Sequence, residues 1–398
     1  MSTPICDFVR GYCESVLLRL HMPGHKGRGE LGCEALDITE VPGADDLACP
    51  EGVILESEEN TTELFGSRHS FYCTGGSSQC VKAMLHLAYL FRPEGTGNCI
   101  LAARNAHKSF LHGCALLGLE PRWLYPEAGT PLCSCPVSPA ALERALQTGE
   151  RPFAVYITSP DYLGGVQDIS ALAEVCHRHG LPLLVDNAHG AYLKFLEPSR
   201  HPLDLGADMC CDSAHKTLPV LTGGAYLHVS ERAQAAFEAE ARHSLAVFGS
   251  SSPSYLILQS LDLCADRLDK DYPALIRATA RKVAELAREL GLQPPEGDPL
   301  KLAIPSCDFG CTGFELASCL RDWRTVAEYA DEDWLVLMFS PGLGEGAFEH
   351  VRRAMPLRRP GSRKPRSLPG PGERLLSPRE ALLARRESVP VSESAGRV

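Results

Sequence analysis

A lysine and a histidine stand side by side in a short polar segment between two apolar runs. The segment from Asp212 to Thr217 contains His215 and Lys216, follows the run 207–211 and precedes the run 225–229. This order predicts a strand, a loop and a return strand. A lysine held in such a loop can have a depressed pKa, and its neutral amine forms Schiff bases with carbonyl compounds. Because most lysines are solvated surface charges, a surface lysine is the alternative.

An aspartate thirty residues before Lys216 can supply the second half of a cofactor site. Asp186 ends the aliphatic run 183–185, which is typical of a buried parallel strand. The carboxyl ends of such strands are where open α/β sheets bind ligands. A lysine for the aldehyde and an aspartate for the protonated ring nitrogen are the protein groups that pyridoxal 5'-phosphate (PLP) requires. Taken alone, Asp186 has a second interpretation as a turn or helix-cap residue.

A segment rich in glycine and hydroxyl groups predicts an anion site nearer the N-terminus. Residues 74–78 separate a predicted strand at 70–73 from a predicted helix at 79–91. Free N–H groups and the helix dipole attract anions at such a helix start. Serine is also a common N-cap, which is the alternative. Because the segment precedes the strands of Asp186 and Lys216, it predicts the phosphate site of PLP.

Six motifs of the chain resemble, in the same order, those of the bacterial-type ornithine/lysine/arginine decarboxylases. The motifs are His21–Lys26, Asp37–Glu40, Arg104–Ser109, Thr158–Pro160, Val185–Ala191 and Ser213–Pro219. The resemblance extends from about Leu20 to Pro356. It implies the aspartate-aminotransferase fold (fold type I), an α/β fold with a mostly parallel central sheet and a smaller α/β domain. It also implies PLP as the cofactor and decarboxylation of a basic L-amino acid, as in polyamine biosynthesis.

The resemblance also implies roles for individual residues around the cofactor. Lys216 would hold PLP, and Asp186 would pair with its ring nitrogen. His107 would stack on the ring, although without the resemblance it is interpreted as a cap of the predicted helix 108–118. His189 would lie near the cofactor or its aspartate. The phosphate would be bound by a set of small residues, namely the backbone of Gly76 and the side chains of Ser77, Ser78 and Ser213.

His215 and Asp161 are candidates for contact with the substrate. An imidazole can donate a proton near neutrality, so His215 fits protonation of the product or contact with the substrate carboxylate. A structural hydrogen bond is the alternative for His215. Asp161 follows the predicted strand 154–158 and can bind the distal cation of a basic amino acid. A turn-forming aspartate before Gly164 and Gly165 is the equal alternative.

His25 and Ser251 are candidates through the resemblance alone. It places the segment of His25 near the entrance of the active site, whereas a simple connector is the other interpretation. Ser251 lies in the polar segment 248–255, which resembles the loop that fold-type-I enzymes contribute to the active site of a partner subunit. We therefore expect a homodimer or a higher homo-oligomer.

Four regions are expected along the chain. Residues 1–65 are predicted to form an N-terminal arm and a small region, and residues 66–270 the large PLP-binding domain. Residues 271–356 are predicted to form a smaller α/β domain. Residues 357–398 have the composition of a linker, followed by what resembles a shortened start of the family's C-terminal domain.

The composition of the chain indicates which cellular compartment and which binding partners to expect. The 398 residues are 44% hydrophobic and 22% charged, as in ordinary globular proteins. No signal peptide or membrane span is predicted. The seventeen cysteines lack the spacing of a disulfide framework or a metal site, which predicts reduced thiols in the cytoplasm. A net charge of −11 argues against nucleic-acid binding and would attract a cationic substrate.

These features predict PLP-dependent decarboxylation of arginine, lysine or ornithine to the corresponding amine, with arginine favoured on overall likeness. The sequence does not select among the three substrates. An aminotransferase or another PLP lyase on the same fold would use the same lysine and aspartate. A non-catalytic PLP-binding homologue is a further alternative, which the shortened C-terminus allows.

Overall fold

The computed structural model describes residues 1–15, 17–344, 346–359, 370 and 372–397, so most of the predicted linker lies outside the described residues. The described strands form two sheets, one of seven strands and one of three. The seven strands of the large sheet are β1 (His69–Cys73), β2 (Cys99–Ala103), β3 (Glu120–Leu124), β4 (Val155–Thr158), β5 (Leu183–Asp186), β6 (Met209–Asp212) and β7 (Ala225–Val229). The small sheet consists of β8 (Lys301–Pro305), β9 (Tyr329–Ala330) and β10 (Trp334–Met338).

Helices surround both sheets. Those before and within the large sheet are α1 (Pro4–Glu14), α2 (Val53–Phe65), α3 (Ser77–Leu90), α4 (Lys108–Leu117), α5 (Pro139–Leu146), α6 (Ile169–Arg178) and the single turn α7 (Ala214–Thr217). Those that follow are α8 (Ala235–Val247), α9 (Tyr255–Asp269), α10 (Tyr272–Glu289), α11 (Gly313–Asp322), α12 (Gly346–Ala354) and α13 (Pro378–Leu383). In the described part of the chain, no helix combines the length and the apolar character that a membrane crossing needs.

The large sheet has the strand order β1-β7-β6-β5-β4-β2-β3. Strands β3, β2, β4, β5 and β6 run parallel to one another, whereas β7 runs antiparallel to its two neighbours, β6 and β1. The predicted α/β fold with a mostly parallel central sheet is therefore confirmed. The return strand predicted after Lys216 is also confirmed, as β7.

The central strands are apolar on both faces because helices cover both faces. In β5, Leu183 and Val185 belong to one core while Leu184 belongs to the other. This alternation follows from the two-residue period of a strand. Helices α6 and α9 pack on the first face, and α3, α4 and α8 on the second. The third core lies around the small sheet.

Helix α10 connects the two sheets. Tyr272 and Ile276, in its first turns, belong to a core of the large sheet, whereas Val283 and Leu286 belong to the core of the small sheet. A predicted boundary at residue 270 thus falls just before a helix that packs on both cores. The three predicted domain boundaries stay a prediction.

Some predicted elements differ from the observed ones. The strand expected at 207–211 begins at Met209, and the loop after it contains the helical turn α7. Strand β3 has no counterpart among the expected strands because Pro121 and Arg122 interrupt its apolar pattern. The other predicted strands and helices of the large sheet begin and end within about two residues of the observed ones.

Gly223 determines how the turn before β7 fits against the start of α3. Its φ is +101°, and a Cβ there would lie 2.9 Å from the carbonyl oxygen of Thr74. The carbonyl of Gly223 also accepts a hydrogen bond from the N–H of Gly76. We therefore expect Gly223→Ala to lower the free energy of unfolding by about 2 kcal/mol, measured by urea denaturation.

The control is Gly11→Ala. Gly11 lies inside α1, and nothing approaches within 4 Å of a Cβ at that position. Because alanine favours a helix interior over glycine, this change should raise stability by up to about 1 kcal/mol. Equal effects of the two changes would contradict the role of Gly223.

Candidate active site

A cavity of about 410 Å³ lies at the carboxyl ends of the parallel strands. Its size is that of a small-molecule site. The lining residues come from the ends of β4 and β5, from the segments that follow β2, β3, β4 and β5, and from α3 and α7: Ser77, Arg104, Asn105, Ala106, His107, Leu132, Cys133, Thr158, Pro160, Tyr162, Asp186, Ala188, His189 and Lys216. Five residues predicted from the sequence, Ser77, His107, Asp186, His189 and Lys216, are thus brought together.

Strand register explains why distant residues meet here. Thr158 in β4 is level with Asp186 in β5, and Asp186 is level with Cys211 in β6. The strands therefore end together, and the residues that follow each end share one edge of the sheet. Helical turn α7 then carries Lys216 back over this edge.

Lys216 is partly buried and faces a second nitrogen. Its Nζ lies 3.2 Å from Nε2 of His189. Burial lowers the pKa of Lys216, and the positive charge of Lys301 adds to that effect, while the carboxylate of Asp186 opposes it. A larger fraction of Lys216 is consequently the neutral, nucleophilic amine.

Asp186 is buried and accepts hydrogen bonds from three donors, one of which is the thiol of Cys211 at 3.7 Å. Its Oδ2 accepts a hydrogen bond of 2.9 Å from the hydroxyl of Tyr156, and its Oδ1 accepts one from the N–H of Ala188. Burial and the nearby Asp186 raise the pKa of Tyr156 well above its usual value, so that hydroxyl stays a donor. The carboxylate therefore has a fixed orientation at the cavity.

His107 and His189 present two imidazoles to the cavity. Nδ1 of His107 accepts a hydrogen bond from the N–H of Ser109, so this residue caps α4 while its ring lines the cavity. His189 is buried, and burial together with the charges of Lys301 and Lys216 lowers its pKa well below the usual value. A neutral imidazole therefore faces the Lys216 amine.

The residues present fit a phosphate-bearing aromatic cofactor. Helix α3 begins at Gly76, which has a φ of 70° and makes no side-chain cap, so the helix start is open to an anion. The hydroxyl of Ser213 donates to that of Ser77 over 2.7 Å beside it. Buried polar atoms of Asn105, Thr158 and His189 have no hydrogen-bond partner among the described residues. Such atoms suit the polar substituents of a bound ring.

A second buried network lies beneath the site. Asp212 accepts hydrogen bonds from the side chains of His201, His228 and Asn187, at 3.0, 3.2 and 2.6 Å. Burial alone would raise the pKa of Asp212, but its contacts with the two histidines hold that pKa well below the usual value. Because Asn187 follows Asp186 and Asp212 precedes Ser213, this carboxylate joins the ends of β5 and β6.

Asp161 and His215 do not line the cavity. The carboxylate of Asp161 accepts hydrogen bonds from the N–H groups of Leu163 and Gly165 and from the hydroxyl of Ser134, as the turn interpretation expects. Nδ1 of His215 bonds the carbonyl of Gly224, as the structural interpretation expects. Their predicted roles on the substrate stay predictions.

The remaining candidates lie elsewhere around the site. His25 pairs with Asp37 at 3.2 Å, and it is not among the cavity's lining residues. Ser251 is exposed and lines a separate cavity of about 400 Å³ with Ser250 and Arg242. Ser78 lies in the first turn of α3, next to the lining residue Ser77.

Several lining residues were not identified from the sequence. Tyr162 lies in the loop after β4, and the motif Thr158–Pro160 just before it is the signal that could have indicated it. Asn105 lies in the motif Arg104–Ser109, two residues before His107. Cys133 lies in a segment between β3 and α5 that carries no pattern of its own.

Labelling of Lys216 tests the effect of its surroundings. Because the neutral amine reacts, we expect acetic anhydride to modify Lys216 with a pH midpoint below about 10.4, the ordinary value for lysine. Asp186→Asn removes a charge that stabilises the ammonium form, so the midpoint should fall further. Mass spectrometry of the cofactor-free protein measures both midpoints.

The control is Asp168→Asn. Asp168 caps α6 away from the cavity, and asparagine caps a helix equally well. This change should leave the midpoint where it is. A midpoint that is the same in all three proteins would contradict the electrostatic influence of Asp186.

Comparison with known proteins identifies related chains. Residues 3–290 match the family model described as "Orn/Lys/Arg decarboxylase, major domain". The arginine decarboxylase of Halalkalibacterium halodurans is 29% identical over 432 residues, which cover 99% of this chain and 86% of that one.

Two solved structures share the fold. The constitutive lysine decarboxylase of E. coli is 19% identical with a TM-score of 0.72, over 89% of this chain and 60% of that chain. A serine palmitoyltransferase of S. paucimobilis with a bound PLP–myriocin adduct is 14% identical with a TM-score of 0.58, over 75% and 74%. The chain thus spans about 60% of the length of the lysine decarboxylase, and its fold is that of fold-type-I PLP enzymes.

Proposed function

The chain belongs to the Orn/Lys/Arg decarboxylase family, and we propose that it uses PLP to convert a basic L-amino acid into its amine and CO2. The observation that carries the proposal is that Lys216, Asp186, His107 and Ser77 line one cavity. Arginine is the favoured substrate, because the relative named arginine decarboxylase is similar over almost the whole chain. Its place would be in polyamine biosynthesis in the cytoplasm.

Residues in and beside the cavity would hold PLP at four points. Lys216 would bind the aldehyde carbon, and Asp186 would pair with the protonated ring nitrogen. The start of α3, with Ser77, Ser78 and Ser213, would bind the phosphate, and His107 would lie against the ring. When bound, PLP supplies an electron-withdrawing ring that takes up the electron pair left by the departing CO2.

Lys216 and His189 are the groups that would hold and transfer protons in the cavity. Their nitrogens are 3.2 Å apart, and burial lowers the pKa of both groups. When its amine is not bound to the cofactor, Lys216 would be free to carry a proton. Neutral His189 accepts a hydrogen bond from the Lys216 ammonium and so keeps that proton beside the carbon that loses CO2.

Asp186 presents a carboxylate of fixed orientation to the cavity. Only 2% of its surface is exposed, and the hydroxyl of Tyr156 and the N–H of Ala188 hold its carboxylate. Such preorganised charge costs no rearrangement during the reaction. The buried surroundings also limit the access of water to the reacting carbon.

A homodimer is part of the proposal. The exposed segment of Ser250 and Ser251 lines a cavity with Arg242 and Gln79 beside α3. A second subunit would cover this polar surface and complete the two active sites across a twofold axis.

Release of CO2 tests the proposal directly. The PLP-loaded protein, offered arginine, lysine and ornithine separately, should release CO2 and the matching amine from at least one. Lys216→Ala should lower the rate by at least about a thousandfold and abolish the visible absorption of the lysine-bound cofactor.

Lys270→Ala serves as the control, since Lys270 is an exposed lysine paired with Asp266. It should retain both the rate and the absorption. Conversion of substrate without CO2 would instead favour an aminotransferase, and cofactor binding without turnover a non-catalytic homologue.

Removal of a phosphate ligand should weaken cofactor binding without changing the fold. Ser77→Ala deletes one hydroxyl at the start of α3, and a hydrogen bond to a charged group contributes about 1.5–3 kcal/mol. We therefore expect the dissociation constant for PLP to rise by about tenfold or more, measured by fluorescence titration. Ser170→Ala, at an exposed position of α6, should leave it unchanged.

A further inference from the structure

We infer that Lys301, a buried lysine of the smaller domain, is a positioning residue that holds His189 in place as the proton-transfer partner of Lys216. Lys301 is the first residue of β8, and 1% of its side chain is exposed. It is not among the lining residues of the cavity, so it would act through residues that are. The kinetic part of the inference rests on the proposed function, whereas the effect on the two nitrogen groups can be measured without cofactor.

A short series of contacts leads from Lys301 to the amine of Lys216. Nζ of Lys301 lies 6.0 Å from the centre of the Tyr162 ring, within the range of a cation–π contact. The Tyr162 ring meets the His189 ring edge-on at 5.1 Å, and Nε2 of His189 lies 3.2 Å from Nζ of Lys216. The ammonium of Lys301 is thus separated from that of Lys216 by two aromatic rings.

Lys301 holds the loop that carries Tyr162. Its Nζ donates a hydrogen bond of 3.1 Å to the carbonyl of Asp161, which directly precedes Tyr162. Gly164 of the same loop has a φ of +91°, and a Cβ there would lie 3.6 Å from Cδ of Lys301. The loop therefore packs directly on the lysine side chain, and the position of Tyr162 depends on it.

The carboxylate paired with Lys301 holds the segment that carries His189. Asp298 lies 3.3 Å from Nζ of Lys301 and accepts hydrogen bonds from the hydroxyl of Tyr192 and the N–H of Leu300. Tyr192 follows His189 by three residues and is itself buried. One ion pair of the smaller domain consequently fixes the segments after β4 and β5 relative to each other.

The charge of Lys301 acts on both nitrogen groups in the same direction. Burial is the largest cause of the low pKa of His189, and the positive charge of Lys301 is the next. Burial also lowers the pKa of Lys216 most, and Lys301 adds to that effect while Asp186 opposes it. A nearby ammonium disfavours a second positive charge. Lys301 therefore favours an uncharged His189, which can accept a hydrogen bond from Lys216.

Other titratable groups surround His189, but they do not replace Lys301. They are Lys216 and His215 of α7, His107 before α4, Asp186 of β5, Tyr162 after β4, Glu328 beside Tyr162, and Asp298 before β8. Lys301 comes before every other charged group in its effect on the pKa of His189. Its removal therefore determines the direction in which this pKa changes.

Stability alone does not require a charge at this position. Lysine is rarely buried unless it is paired, and replacement of a buried ion pair by apolar residues of similar volume is often neutral or stabilising. Methionine would fill the same space beside Tyr162 and Gly164. A buried ammonium next to the cavity is accounted for by its effect on the groups there.

Lys301→Met tests the inference in the cofactor-free protein. Because a repelling charge is lost, the pH midpoint for acetic anhydride labelling of Lys216 should rise by about 0.5 unit or more. The titration of His189, followed by NMR of 13C-labelled histidine and assigned with His189→Gln, should move to higher pH as well. Lys301→Arg keeps the charge and the donors, and should restore both midpoints.

A double variant, Lys301→Met with Asp298→Asn, removes both charges of the pair and so leaves no unpaired carboxylate in the interior. Both midpoints should still rise, because Lys301 rather than Asp298 is the main charge that acts on His189. Lys270→Met is the matched control, since Lys270 is an exposed lysine paired with Asp266 at 2.7 Å. It should leave both midpoints unchanged. Unchanged midpoints in the double variant, or equal shifts in Lys270→Met, would overturn the inference.

Kinetics separate this role from a merely structural one. In the PLP-loaded enzyme, the acid limb of the kcat profile of Lys301→Met should move to higher pH by at least about 0.5 unit. KM should stay within about threefold, because Lys301 does not line the cavity. A loss of kcat that is equal at every pH and is not restored by Lys301→Arg contradicts the inference. If the unchanged protein releases no CO2, the proposed function fails, and the two midpoints still decide the role of Lys301.

Discussion

A single buried carboxylate, Asp212, joins the two strand ends that carry the chemistry. It binds Asn187 after β5 and both His201 and His228, and it directly precedes Ser213. Burying a charge is costly unless partners satisfy it, and here three donors do so. Because the Asp212 carboxylate is stable in the interior only while these donors bind it, β5 and β6 are held in one relative arrangement. Asp186 and the turn with Lys216 therefore keep their relative positions.

Burial shifts the charge state of two nitrogen groups in the cavity, those of Lys216 and His189. The amine of Lys216 shifts towards its neutral form, and His189 loses its charge, because both are removed from water. Asp186 keeps a fixed carboxylate because Tyr156 and a backbone N–H hold it. The same low-polarity surroundings thus favour a nucleophilic amine and a neutral imidazole within one cavity.

The smaller domain contributes to the cavity through few but specific contacts. Lys301, almost fully buried in β8, pairs with Asp298 and donates to the carbonyl of Asp161, so it holds the loop after β4. Helix α10 packs on a core of each sheet. Glu328 meets Tyr162 on the same side. The loop that carries Tyr162 is consequently held from both domains.

Sequence by itself determined the family, the parallel sheet and the residues at its carboxyl edge. The aliphatic run before Asp186 and the apolar runs around Lys216 predict strands from local pattern, and strand ends of a parallel sheet must share an edge. The tertiary structure alone decided that Asp161 faces its own turn, that His215 bonds Gly224, and that Glu328 reaches Tyr162 from 166 residues away along the chain. The physical reason is that side-chain direction and contacts between distant segments depend on packing, which no local pattern records.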